Sequence, residues 1–466
     1  MTSAPPTALA ERPATRPRPS PPPATGVGPR PRRRRELTPH ALGTAIHLGA
    51  VATVAWPIAE WLHGPAPRPL VPLVAHVSGM LAGYGVLVLL ALMSRAPALE
   101  RGIGADVLAR WHARGGRLVL VSVLVHAWGA VAAWAALRGE AGAAALWQVL
   151  RMPGLAAATL GTALLAGVGI ASARAARRRL SYERWHALHL LTYVAVALSS
   201  SHQLAGPDLA GHRLLQVGWA LLYAYVFALV LRHRVLAPLR QAARHRLRVR
   251  RVVDEGPGVI SIEVEGTHLD ELDAEPGQFF RWRFLTPDHW GSAHPFSLSA
   301  PPTTDHLRLT VKALGRGSAH LQSVPVGTWV VAEGPYGAMT ERRRTRRDVL
   351  LIAGGVGITP MRALVETLAL EPGQDLLLVY RARTPEEVLF RDELDDIARR
   401  RGARIAYLYG DDPACLSAAE LRRRVRGLEE RDVFLCGPPG MTAAVRTALQ
   451  EAGHPPDLLH DERFSW

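Results

Sequence analysis

The sequence predicts a multi-domain membrane protein: a six-helix transmembrane bundle, then a small antiparallel β-barrel, then an α/β domain with a parallel sheet. Three observations lead there. Six apolar runs fill residues 41–231, each close to the ~20 residues that a bilayer requires. From about Leu239, short alternating segments separated by Gly and Pro replace them. After Arg347, continuous apolar runs alternate with helical patterns, which implies parallel strands.

The charge balance fits a bilayer better than nucleic acid. The 466 residues hold 55 Lys and Arg against 40 Asp and Glu, a formal charge of +15. The arginines cluster at Arg32–Arg35, Arg95–Arg117, Arg174–Arg184 and Arg232–Arg240, each beside an apolar run. That is the asymmetry of cytoplasmic loops, so the expected partner is the cell membrane, with both termini cytoplasmic and no nucleic-acid role. Cys415 and Cys436 are too few for an iron–sulfur cluster held by four thiolates, and their separation matches no zinc spacing.

Residues 1–36, rich in Pro and Arg, read as a disordered cytoplasmic arm. The long apolar run that follows has no obvious cleavage site, which argues against a signal peptide. Residues 37–236 form the transmembrane domain, with spans expected at Ala41–Leu62, Leu70–Met93, Val107–Leu137, Pro153–Ala173, Trp185–Gln203 and Leu214–Leu231. The connections expected outside, around Pro65, Glu140 and Asp208, are short and poor in charge.

The third and fifth spans each carry two histidines, His112 with His126 and His189 with His202. Fourteen residues of helix rise ~21 Å and end about 40° short of four full turns, so the first two share a face. Thirteen residues rise ~19.5 Å but end ~140° out of register. That mismatch calls for a tightened or kinked helix near Ser199–Ser200–Ser201, where hydroxyls can bond backbone carbonyls. Both spans run outward, so His112 should pair with His189 at an inner site and His126 with His202 at an outer one. Neutral imidazole is a good iron ligand, and histidine in a bilayer is costly enough to imply function. Two pairs could hold two stacked haems. The plainer alternative is hydrogen bonding between helices, and His76 and His186 show that not every histidine here needs a role. Four at matching depths favour haem. Arg110, Arg114 and Arg117 could neutralise inner propionates or serve only as topology charges, the latter being preferred.

Residues 237–340 carry the expected barrel strands, among them Val259–Val264, Phe279–Phe284 and Leu307–Val311. His294-Pro295-Phe296-Ser297-Leu298-Ser299 falls where a strand should end. Pro295 holds the chain extended, and the hydroxyls of Ser297 and Ser299 could reach a flavin ring. Lys312 and the turn Gly315-Arg316-Gly317-Ser318 offer cations, amides and a hydroxyl to a pyrophosphate. Either stretch alone is a weak signal.

In residues 341–466, Val349–Ala353 leads into Gly354-Gly355-Val356-Gly357-Ile358-Thr359-Pro360-Met361, a buried strand entering a glycine turn and a helix. Such a turn lets backbone approach a pyrophosphate at a helix N-terminus, although it lacks the GxGxxG spacing. Cys436-Gly437-Pro438-Pro439-Gly440-Met441 repeats the arrangement after Val433–Cys436. Arg381 and Arg383 follow the strand ending at Tyr380 and could hold a 2′-phosphate, favouring NADPH over NADH, or form a solvated pair.

In this order the motifs HPFSLS, GRGS, GPYG, GGVGITPM and CGPPGM resemble the ferredoxin–NADP reductase family. Joined to six spans with paired histidines, the chain resembles the ferric reductase and NADPH oxidase superfamily over residues 40–466. The resemblance implies two b-type haems on His112, His126, His189 and His202. It implies FAD on His294, Pro295, Phe296 and Ser297, and a nucleotide site lined by Gly334–Gly337, Gly354, Gly355, Gly357, Thr359, Pro360, Gly437 and Pro438. It also places Cys436 near the nicotinamide and a C-terminal aromatic, Phe464 or Trp466, over the flavin. No calcium-loop pattern and no long outer loop is present, which separates this chain from the animal oxidases. The expected activity is electron transfer from cytoplasmic NADPH through FAD and two haems to dioxygen outside. A ferric or cupric chelate is the alternative acceptor, and a non-redox transporter or scaffold with a nucleotide-sensing tail is a further reading.

Overall fold

The structure, a computed structural model, describes residues 37–152, 154–173, 179–180, 182–206, 208–287 and 290–461. The arm of residues 1–36, Phe464 and Trp466 lie outside the described residues, as do Arg174–Arg178 and Pro153.

The first half is helical: α1 (Pro39–His63), α2 (Leu70–Leu92), α3 (Pro97–Ile103), α4 (Ala105–Arg138), α5 (Gly142–Arg151), α6 (Leu155–Ser172), α7 (Tyr182–Ala205) and α8 (Arg213–Leu231). A π-helical turn, Arg232–Leu236, joins α8 to α9 (Ala237–His245). Thr38 caps α1 by accepting from the Ala41 amide at 3.2 Å, with Pro39 as the first helical residue. Gly139, in the left-handed region at φ +66°, ends α4.

Among the described residues, five helices are long and apolar enough to cross a membrane: Pro39–His63, Leu70–Leu92, Val107–Arg138, Leu155–Ser172 and Arg213–His245. The remaining expected span, Trp185–Gln203, is helical throughout within α7 but is not among the five. Three histidines and three serines dilute its apolar character. Leu118, Val121, Trp128, Leu214 and Leu221 are exposed, the outer surface expected of helices facing lipid. Centrally, α2 packs against α1, α4 and α8, while α7 packs mainly against α6. The short helices α3 and α5 were not foreseen.

The middle region holds two three-stranded antiparallel sheets. One has the order β1 (Arg248–Gly256), β2 (Val259–Glu265), β5 (His306–Lys312). The other has the order β4 (His294–Ser297), β3 (Phe279–Phe284), β6 (Val330–Tyr336). Isolated bridges, Arg248 with Trp329 and Leu298 with Leu309, link the sheets. Ile262, Val264, Phe280, Trp282, Leu307 and Leu309 fill the shared core. A short helix, α10 (Arg316–His320), follows β5.

The last region is a five-stranded parallel sheet. Its strands are β7 (Val349–Gly354), β8 (Leu376–Ala382), β9 (Arg404–Tyr409), β10 (Asp432–Cys436) and β11 (Leu459–Asp461), in the spatial order β11-β10-β7-β8-β9. Helix α11 (Ile358–Thr367) covers Leu351, Ala353, Leu378 and Phe434 on one face. Leu350, Ile352, Val379 and Leu435 pack on the other, against α14 (Pro439–Glu451). Helices α12 (Arg391–Arg401) and α13 (Ala418–Arg424) complete the layers. Burial on both faces explains why these strands read as unbroken apolar runs.

Candidate functional site

The histidines of α4 and α7 face each other in two pairs. The rings of His112 and His189 are 5.9 Å apart between centroids, and those of His126 and His202 are 6.1 Å apart. Two imidazoles on opposite sides of one metal, each ~2 Å from it, would place their centroids roughly 6 Å apart. The donor set therefore fits a metal held axially, as in a haem.

Hydrogen bonds orient two of these rings. His126 Nδ1 lies 2.8 Å from the Ala75 carbonyl oxygen, and His112 Nδ1 lies 3.3 Å from that of Leu89. With the Nδ1 proton given to a carbonyl, the Nε2 lone pair is left to ligate. Gly79 makes room, since a Cβ there would stand 2.5 Å from His126 Nδ1. His189 Nδ1 is buried with no partner, and its ring stacks on Trp185 at 5.2 Å. Helix α7 stays α-helical through the serines, where Ser199 and Ser200 donate to the carbonyls of Ala195 and Ala197, each at 2.9 Å. Among the described residues, no group of three or more His, Cys, Asp or Glu side chains could hold a metal ion.

Sequence reasoning missed a cation near the His112–His189 pair. Arg234, in the π-helical turn, donates to Tyr193 Oη at 3.0 Å, and its charge acts on both His112 and His189. Arg110, Arg114 and Arg117 are exposed side chains of α4. π-Helical turns often mark functional sites, but no residue pattern announces one. Beside the other pair, His76 Nδ1 lies 2.8 Å from Asp208 Oδ1, and Trp56 donates to the Asp208 carbonyl at 3.1 Å. His212 packs edge-on against Trp56 at 4.6 Å.

The HPFS residues form β4, paired with β3 so that Pro295 lies opposite Arg281 and Ser297 opposite Phe279. Trp282 Nε1 donates to the Phe296 carbonyl at 2.9 Å. Ser297 is buried and its Oγ has no partner, as a hydroxyl meant for a bound group would be. Ser299 is different. Its Oγ accepts from Thr310 at 2.8 Å, in a chain that continues to Ser261, so it links the sheets instead of facing a cofactor. The GRGS turn lies against this strand: a Cβ on Gly317 would meet His294 Cε1 at 2.4 Å. Ser318 Oγ accepts from the Leu314 and Gly315 amides at 2.9 and 3.0 Å and so shapes the turn. Lys312 is half-buried at the end of β5. Gly334 and Gly337, at φ +151° and +97°, close the GPYG stretch at the end of β6.

The two glycine turns leave adjacent strands, β7 and β10, where the strand order reverses. That is the crevice in which open α/β sheets bind ligands. They touch each other: a Cβ on Gly357 would lie 2.4 Å from the Cys436 carbonyl oxygen, and one on Gly354 would lie 2.3 Å from Met441 Sδ. Gly355 adopts φ +52°. Gly437 and Pro438 lead from β10 into α14, while Thr359 and Pro360 are buried at the start of α11. Cys436 is fully buried with Phe434 and Ile358, so its thiol packs the core beneath the turns. Arg381 Nε donates to the Gly410 carbonyl at 3.2 Å, and Arg383 is exposed beside Glu387 at 3.3 Å.

Glu393 of α12 ties the two soluble regions together, accepting from Arg308 of β5 at 2.9 Å and from Arg362 of α11 at 3.0 Å. Burial opposes its charge, but the two guanidinium partners hold its carboxyl below the usual range.

Comparison with known proteins agrees with this division. The ferric reductase-like transmembrane component family matches residues 78–200, and the oxidoreductase NAD-binding domain family matches residues 351–447. The first match spans His112, His126 and His189 and stops just before His202. Together they match the domain arrangement of the ferric reductase/NADPH oxidase superfamily. A 3-ketosteroid-9-alpha-monooxygenase ferredoxin reductase component from Mycolicibacterium smegmatis is 32% identical over 47% of this chain and 65% of its own length. A flavohemoprotein from Bacillus subtilis is 25% identical over 44% of this chain and 56% of its own. The chain thus spans between about half and two thirds of these relatives. Among solved structures, the FAD/NAD-binding domain of a nitric oxide dioxygenase from Vibrio cholerae is 27% identical, covering 47% of this chain and 98% of that one, with a TM-score of 0.40.

Proposed function

We propose that the chain passes electrons from cytoplasmic NADPH, through FAD and two b-type haems, to dioxygen on the outer side of the cell membrane, forming superoxide. The observation that carries this reading is the pair of facing histidine pairs, with Nδ1 of His112 and His126 engaged by backbone carbonyls and Nε2 left to ligate. His112 and His189 would hold the inner haem, His126 and His202 the outer one. With an imidazole from each helix on each iron, these residues would leave no ligand position open to an acceptor. When bound, the flavin supplies the change from two-electron hydride chemistry to single electrons.

The rest falls to the chain. The buried Ser297 hydroxyl and the extended Pro295 orient the flavin, and the GRGS turn beside His294 carries its pyrophosphate. The paired glycine turns after β7 and β10 admit the backbone-close pyrophosphate of the nucleotide at the N-terminus of α11. Arg381 and Arg383 would hold its 2′-phosphate. The division we propose is an arm (1–36), a six-span haem domain (37–236) with α7 as the fifth span, a barrel for FAD (237–340) and a nucleotide domain (341–466). Both termini are cytoplasmic, where the arginine clusters lie.

A ferric or cupric chelate is the second acceptor, favoured by the short connection between α1 and α2, residues 64–69. The deciding experiment reduces the purified protein anaerobically with NADPH, follows its haem absorbance, then mixes it with oxygen or with a ferric chelate. Faster reoxidation by oxygen supports the oxidase; faster reoxidation by the chelate makes it a metal reductase. A colourless protein would sink both.

A further inference from the structure

The membrane helices and the flavin-side strands meet at β6. Arg95, in the turn between α2 and α3, donates Nη1 to Glu333 Oε2, and Arg283 of β3 stands 3.6 Å from the other carboxylate oxygen. Glu333 is buried, at 8% exposure, and Arg95 largely so, at 16%. Alongside, Gln241 of α9 donates to the Gly334 carbonyl at 2.8 Å, and Arg343 donates to the Gly102 carbonyl at 3.2 Å. Arg95 holds a left-handed backbone at φ +62°, a conformation that arginine keeps only when its surroundings impose it.

The pair lies on a short path between the two redox sites. On the membrane side, Arg95 follows six residues after Leu89, whose carbonyl engages His112 Nδ1. On the other side, Glu333 is opposite Arg281 across the β6–β3 ladder, and Arg281 is opposite Pro295 across the β3–β4 ladder. Glu333 is therefore two strand spacings, roughly 9.6 Å, from the HPFS backbone. From the inner histidine to the flavin strand, the path runs through paired backbone and one buried ion pair.

We propose that Arg95 and Glu333 are positioning residues for electron transfer between the modules: their ion pair holds the HPFS strand at a fixed distance from the His112–His189 site. The inference rests on the reading of the chain as a flavin-to-haem wire. The step concerned would be a one-electron transfer from reduced flavin to a ferric haem held by His112 and His189, with no bond made or broken. Transfer of this kind falls steeply with distance, so a loosened anchor slows it without touching hydride uptake. Removing Arg95 leaves the buried Glu333 carboxylate with only the more distant Arg283, at 3.6 Å and on the same sheet, so the contact to the membrane helices is lost and the anchor should loosen.

The test uses the full-length protein loaded with FAD and haem, mixed anaerobically with NADPH while flavin bleaching and haem reduction are recorded separately. In Arg95→Gln, flavin bleaching should keep the wild-type rate while haem reduction slows by about tenfold or more, so that reduced flavin accumulates. Arg95→Lys, which retains the charge, should recover most of the rate, a rescue that a loss of packing alone would not show. Glu333→Asp, a milder change for use if Arg95→Gln does not assemble, should slow haem reduction to an intermediate degree. Haem reduction within about twofold of wild type in these variants, or equal slowing of both phases, would overturn the inference. A preparation without a haem band would overturn the underlying wire as well, whereas bound haem reduced at full rate would overturn only the positioning role.

Discussion

Gly357→Ala tests whether the two glycine turns form one nucleotide site. Gly357 has φ −63°, which alanine accepts, so any effect is steric. The new methyl would lie 2.4 Å from the Cys436 carbonyl oxygen, 2.6 Å from its carbon and 2.8 Å from the Gly437 nitrogen. Ordinary contacts begin near 3.4 Å, so the turns must separate by about 1 Å. All three atoms are backbone, and Cys436 ends a strand whose neighbours hold it on both sides, so little can yield. Overpacking of this kind costs about 1–3 kcal/mol. Expressed as nucleotide affinity, that is roughly 5- to 150-fold. The assay is KM for NADPH in flavin-dependent reduction of a soluble dye, with thermal unfolding recorded alongside. Gly440→Ala is the control, because a Cβ there meets nothing within 4 Å. An unchanged KM and an unchanged unfolding profile for Gly357→Ala would refute the argument that contact between these turns shapes the site.

Three further outcomes follow from the geometry. His126→Ala or His202→Ala should lower bound haem from about two to about one per chain and abolish reduction of external acceptors, as a haem-to-FAD ratio and an acceptor assay would show. Ser297→Ala should act in opposite directions: the flavin-free protein gains stability by losing a buried unpaired hydroxyl, while FAD binding weakens by about 0.5–1.5 kcal/mol, seen in melting curves with and without FAD. Asp375 is held below the usual carboxylate range by its hydrogen bonds to Arg404 and Arg431. Its folded value being depressed, its contribution is complete above the unfolded value of about 3.9 and is lost as pH falls through the folded one. Asp375→Asn should therefore lower stability at neutral pH and flatten the acid limb of an unfolding profile taken below about pH 4.

The residue pattern carried much of the architecture because burial leaves a periodic record. Val349–Ala353 and Val433–Cys436 lie in strands covered on both faces, and such strands are apolar at every position. Val259–Val264 was equally readable. Strands β1 and β6 were not: β1 is charged at five of its nine positions and owes its extended form to pairing with the adjacent β2, while β6 contains Gly and Pro and pairs with β3, distant in the chain. The membrane character of Trp185–Gln203 was read from its length, but the histidines and serines that suggest a function also lower its hydropathy.

The sequence by itself determined which residue types could do the chemistry: four histidines spaced for two levels, a proline-held serine strand, and glycines where backbone must come close. These are local facts, governed by helical rise and by steric freedom at single positions. Tertiary structure decided how they are used. It turned Ser299 into a link between sheets and buried the Cys436 thiol beneath the glycine turns. It set Arg234 near the inner histidines, and it paired Arg95 with Glu333 across 238 positions of chain. Such assignments depend on which distant segments share a buried contact, and only the whole fold fixes the low-dielectric surroundings that make a charge pair or a hydroxyl matter.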